Sequence, residues 1–165
     1  MSLTAFNDMP AEECATALQA CCGSPRWARA LADGRPYRSV RALADRSADE
    51  LAALTGAEIW ALADGHPRIG ERPRGTGRHE AWSRREQAGV ATADEELAEE
   101  LASGNRDYEH RFGHVFLIRA AGRTGTEVLA ALRARLGHGE ARELAVVRAE
   151  LTDITRGRLE GLIGS

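Results

Sequence analysis

Aromatic residues are scarce in this chain: Phe, Trp and Tyr together make up 5% of its 165 residues. The core must therefore be filled by Leu, Ala, Val and Ile, which pack readily along helix stripes. Cysteine is equally sparse. The three present, Cys14, Cys21 and Cys22, lie close together near the start. That clustering leaves no distant partners for a disulfide framework and fits reduced thiols in a cytoplasmic protein. Cys14, Leu18 and Cys21 share one helical face, the placement of small core hydrophobes. No apolar run approaches the roughly 20 residues needed to cross a membrane. A basic region followed by an apolar stretch is missing from the N-terminus, so secretion is not expected, and Ile163-Gly164-Ser165 is not a peroxisomal address. Positive charge is not in excess either. A formal net charge of −3, with Arg dispersed among Asp and Glu, argues against a nucleic-acid partner held by phosphate neutralisation.

What is present suits one globular domain. Hydrophobic residues are 43% and charged residues 28% of the chain, ordinary values for a folded soluble protein. The length buries a sizeable core. No internal repeat or linker divides it, so residues 1–165 are expected to form a single compact all-α domain of seven to nine helices.

Helix signals recur along the chain. Asn7 or Asp8 can cap a helix with Pro10 in its first turn and Gly23 just past its end. Ser24-Pro25 restarts the chain into a short helix carrying Trp27, Ala30 and Leu31. Residues 39–45 make another short helix, and Ser47-Ala48-Asp49-Glu50 reads as a capping box leading to Leu51 and Leu54. Residues 55–63 form a helix that Gly65 ends in left-handed geometry. Thr92-Ala93-Asp94-Glu95 is a second capping box, opening a helix with Leu97, Leu101, Tyr108 and Phe112 on one face. Gly104 falls inside that helix, where it costs about 1 kcal/mol against Ala and bends it. Thr124-Gly125-Thr126-Glu127 starts a helix with Leu129, Leu132 and Leu136, stopped by Gly137, and the last helix runs over residues 140–162. Two segments break the pattern. Residues 71–80, rich in Arg, Gly and Pro, read as a loop. Val115-Phe116-Leu117-Ile118 reads as a buried extended segment or a tight connection, whose backbone groups need partners from outside it.

Several polar residues stand out. In His66-Pro67-Arg68-Ile69-Gly70, Pro67 and Gly70 set unusual backbone conditions just past a helix end. His66 is either a histidine that binds the last helix carbonyls or a rigidly held acid/base group titrating near neutral pH. Ser83-Arg84-Arg85-Glu86-Gln87 is either a capping box opening a helix or the start of a polar site at an open helix N-terminus. On the last helix Leu144, Val147, Leu151, Ile154 and Arg158 share one stripe. Arg158 either snorkels to solvent or is a buried cation needing an anionic or carbonyl partner. A metal site among His79, His110, His114 and His138 is disfavoured, because the spacings of common motifs are missing.

Taken in order, His66-Pro67-Arg68-Ile69-Gly70, Ser83-Arg84-Arg85-Glu86-Gln87-Ala88-Gly89, Tyr108-Glu109-His110-Arg111-Phe112-Gly113 and Arg158-Leu159 resemble the 2-oxo-4-hydroxy-4-carboxy-5-ureidoimidazoline (OHCU) decarboxylases of urate breakdown. Phe6-Asn7 opens the match, so it covers most of the chain. The resemblance implies a cofactor-free, all-helical, homodimeric carboxy-lyase that converts OHCU into (S)-allantoin and carbon dioxide. It further implies His66 as catalytic acid/base, with Glu86 and Arg158 as the other polar groups at the reacting centre. Pro67, Ser83, Arg84, Arg85, Gln87, Phe116, Leu117, Ile118, Arg119 and Ala120 are then expected to line the small-molecule ureidoimidazoline substrate. Two positions depart from the family pattern. His114 replaces an apolar residue, and Arg119 stands where a small one is usual. Two other classes fit the residues less well: a non-catalytic helical binding module, and a metal-dependent ureide or amide hydrolase.

Overall fold

The computed structural model describes residues 1–71, 78–90 and 94–164. Among these the chain forms nine α-helices and no strand. It divides into two compact units, Met1–Thr55 with Leu151–Ser165, and Gly56–Glu150.

The first unit holds α1 (Leu3–Asp8), α2 (Ala11–Cys22), α3 (Pro25–Asp33), α4 (Val40–Ala52) and the C-terminal part of α9 (Glu140–Ile163). Gly23 ends α2 in left-handed geometry, and Ser24 caps α3 through the Trp27 N–H. Asn7 does not cap α2. Its side chain brackets Tyr37 instead, donating to the Tyr37 carbonyl and accepting from the Tyr37 N–H, both at 2.9 Å. The expected break between residues 39–45 and a helix capped by Ser47 does not occur. Ser39 caps one continuous helix, α4, since no Gly or Pro interrupts residues 40–52. Ser47 is buried inside it, and its carbonyl accepts from the Trp27 indole at 3.2 Å. Cys14, Cys21 and Cys22 are all buried free thiols, and burial pushes Cys22 up to about 11.

The second unit holds α5 (Gly56–Asp64), α6 (Arg78–Glu86), α7 (Glu95–Phe112), α8 (Gly125–Arg135) and the N-terminal part of α9. α8 starts where the sequence placed it, and Thr124 and Glu127 form a capping box there. The helix that the sequence opens at Thr92 is capped by Asp94; Thr92 lies outside the described residues, as does most of the loop at residues 71–80. The end of that loop is already helical, because α6 starts at Arg78. Ser83 therefore sits inside α6, buried, and does not open a helix. Gly104 turns out to matter for packing. A Cβ there would lie 2.7 Å from Leu132 Cδ2, so its bare backbone lets α7 approach α8 closely. Ile69, Val90, Leu101, Tyr108, Phe116, Ile118, Val128 and Leu132 belong to the apolar cluster of this unit.

Candidate active site

The helix α5 ends differently from the sequence expectation. Gly65 has no left-handed φ; the Gly65 and His66 N–H groups instead donate three residues back, to Leu62 and Ala63. This tightened last turn aims the His66 ring back along the helix, where Nδ1 lies 2.9 Å from the Leu62 carbonyl. A carbonyl only accepts, so Nδ1 carries the proton, and Nε2, which is buried, is the basic nitrogen of the neutral ring. His66 is thus the helix-end histidine of the plainer reading, and that same bond fixes its tautomer.

The backbone after His66 is anchored from three sides. Asn105 Nδ2 donates to the Ile69 carbonyl at 2.9 Å, and the Gly70 N–H donates to Gln87 Oε1 at 3.0 Å. Arg68 forms a two-pronged ion pair with Glu109 of α7. Gly70 takes the left-handed φ of 84° that this path requires. Gln87 thereby joins the two sequence motifs, those around His66 and Glu86. Glu86 is the last residue of α6 and half-buried, whereas Arg84 and Arg85 are exposed.

Residues 115–120 have no regular structure, and Phe116, Leu117, Ile118 and Ala120 are buried while Arg119 is exposed. Their backbone does find side-chain partners, as the sequence required. Asp64 accepts from the Val115 N–H and Glu150 from the Arg119 N–H, while Arg135 donates to the Leu117 carbonyl. His114, one of the two departures from the family pattern, stacks on Trp60 at 4.4 Å between centroids and pairs with Asp64.

Beneath this segment lies a buried polar cluster that the sequence reading missed. Glu143 accepts from Arg135 and from the Tyr108 hydroxyl, the latter at 2.6 Å, and its second oxygen meets His138 Nδ1 at 2.8 Å. Burial alone pushes the Glu143 carboxyl up. The hydrogen bonds from Arg135 and Tyr108, with the Arg135 charge and His138, outweigh it and hold the group below the usual carboxylate range. Arg135 also lies 4.5 Å from the Phe116 ring centre. The signal was present: Arg135 is one helical step from Leu132, as Arg158 is from Ile154.

In the first unit, Arg158 is 1% exposed, which excludes the snorkelling alternative, and its Nη1 donates to the Cys21 carbonyl at 3.3 Å. A separate cavity of about 450 Å³ borders Ile69, Leu101 and Asn105. None of the expected catalytic or substrate-lining residues lines it, so it is not the reacting centre suggested by the sequence. Among the described residues no group of three or more His, Cys, Asp or Glu is placed to hold a metal ion, and the His79 side chain lies outside them.

The fold and these groups define an all-helical domain class with a histidine held at a helix end by a backbone carbonyl. Comparison with known proteins narrows it. The OHCU decarboxylase family model matches residues 7–160. The chain is 30% identical over 156 residues to the uric acid degradation bifunctional protein TTL of Arabidopsis thaliana, covering 86% of this chain and only 45% of that protein. It is 30% identical over 141 residues to the OHCU decarboxylase of Amia calva, covering 84% of this chain and 81% of the relative. A crystal structure of OHCU decarboxylase in the presence of (S)-allantoin superposes with a TM-score of 0.78 at 25% identity, covering 95% of this chain and 100% of the other. A structure of (S)-allantoin synthase shares the fold with the same TM-score at 20% identity, covering 99% of this chain and 54% of that one. The chain belongs to the OHCU decarboxylase family, carboxy-lyases of urate degradation. No helix among the described residues is long and apolar enough to cross a membrane.

Proposed function

We propose that this chain decarboxylates OHCU to (S)-allantoin with His66 as the acid/base group and Glu86 and Arg158 as its polar partners. The observation that carries the residue assignment is the His66 ring held by the Leu62 carbonyl, which presents one defined nitrogen for proton transfer. Loss of carbon dioxide leaves an electron pair on the ring carbon, delocalised into the neighbouring imine. The substrate thus supplies its own electron sink, and the reaction needs no cofactor. The protein's task is to hold the carboxylate out of the ring plane, stabilise developing charge and deliver a proton to one face.

His66 polarises the hydroxyl or imine side and donates the proton. Glu86 accepts from ring or ureido N–H groups and fixes the substrate's pose. Arg158 orients an anionic or carbonyl oxygen, for which a guanidinium offers matched paired donors. Pro67, Ser83, Gln87 and residues 116–120 line the substrate. Arg84 and Arg85, being exposed, contribute positive charge near Glu86 rather than walls. The family match over residues 7–160 supports one catalytic domain. The working form is a homodimer in the cytoplasm.

The test is the circular dichroism of allantoin formed from freshly generated OHCU. Enantiomeric (S)-allantoin appearing at a rate proportional to protein supports the reading. Racemic product at the background rate contradicts it.

A further inference from the structure

The irregular segment at residues 115–120 is held along one edge by three side chains from three different helices. Asp64 at the end of α5 accepts from the Val115 N–H, Arg135 at the end of α8 donates to the Leu117 carbonyl, and Glu150 of α9 accepts from the Arg119 N–H, each at 2.8 Å. In extended backbone, residues two apart turn their N–H and C=O groups to the same edge. Residues 115, 117 and 119 follow that spacing. The three side chains occupy the places where a neighbouring strand would offer its own backbone groups.

Each anchor is itself fixed. Arg135 is buried on Glu143 and lies against the Phe116 ring. Asp64 uses its second oxygen on His114, which stacks on Trp60. Asp64 also stands two residues before His66, so one helix end sets both the histidine and the start of the segment.

We propose that Asp64, Arg135 and Glu150 are positioning residues that act as a substitute strand, holding the odd-numbered edge of residues 115–119 so that the Phe116 and Ile118 backbone edge can read the substrate's amides. This rests on the proposed OHCU reading. In it Leu117 and Arg119 contribute less backbone recognition than their neighbours, because those groups are already engaged.

The experiment uses the full chain with Glu150→Ala, Glu150→Gln and Asp64→Ala. Arg135 is left intact, since removing it would strand Glu143 without its counter-charge. Amide hydrogen exchange at Val115 and Arg119 is measured beside KM and kcat for OHCU. A backbone bond to a charged acceptor is worth roughly a ten- to hundredfold change in an equilibrium. Glu150→Ala should therefore speed exchange at Arg119 and raise KM by about tenfold or more, with kcat within about threefold. Glu150→Gln, which keeps an acceptor oxygen, should restore most of both. Asp64→Ala should do the same at Val115.

Unchanged exchange in both alanine variants overturns the clamp. Faster exchange with unchanged KM overturns its role in recognition. A wild-type chain that does not turn over OHCU overturns the functional reading instead; active wild type with unaffected variants is failure of this inference alone.

Discussion

His66 and Leu62 are joined by a 2.9 Å contact between the ring Nδ1 and the backbone carbonyl one helical turn earlier. The same carbonyl also accepts from the Gly65 N–H in the tightened last turn of α5. The helix end therefore orients the imidazole. The helix-end and catalytic readings of this residue are the same arrangement.

Replacing Arg158 separates a ligand-facing cation from a structural one. Arg158→Met fills similar volume without a buried charge, so its stability cost should be about 1–3 kcal/mol, that of losing the donor to the Cys21 carbonyl. Turnover of OHCU should fall by about a hundredfold, in line with loss of a charge-assisted contact to substrate. Steady-state kinetics and urea denaturation on the same preparation check this. Full activity would make Arg158 a structural residue.

Glu143 should matter for stability in a pH-dependent way. Its folded-state carboxyl is held below the ordinary value of 4.5, so its contribution is present above that pH and lost as pH falls through the folded value. Wild-type protein should therefore lose stability on acidification below about 4.5. Glu143→Gln leaves Arg135 buried without a counter-charge and should cost about 3–5 kcal/mol at neutral pH, with a shallower acid limb. Denaturant midpoints between acid and neutral pH measure both.

Much of the fold was legible because its signals are local. Gly23, Ser24 and Thr124 act where the sequence placed them. Ser47 and Ser83 carry the same capping pattern, yet both lie buried inside helices. Four residues can specify a cap but cannot exclude a helix that began earlier. At Ser83 the helix started within a stretch without hydrophobic periodicity. The burial of Arg158 was legible from its stripe. The links from Asp64 to Val115 and from Tyr108 to Glu143 were not, since they join residues 51 and 35 positions apart. No periodicity encodes such pairs.

Chelation should leave catalysis intact. The electron sink lies in the substrate's imine, so exhaustive dialysis against chelator should change kcat by less than about twofold. Activity lost on dialysis and regained with zinc or manganese would require a different mechanism.

Assembly is directly measurable. Light scattering at micromolar concentration should return twice the 17.8 kDa mass of the chain. A monomer across that range would contradict the homodimer.

One paired measurement tests whether this chain makes (S)-allantoin through His66. His66→Asn keeps polarity and approximate size and removes the acid/base group. Stereospecific allantoin formation, followed by circular dichroism, should fall by about 10² to 10⁴, the usual worth of general acid–base catalysis. On the same folded variant, affinity for a stable substrate analogue should stay within about tenfold, or 1.4 kcal/mol. Near-wild-type turnover by a folded His66→Asn protein would contradict the account.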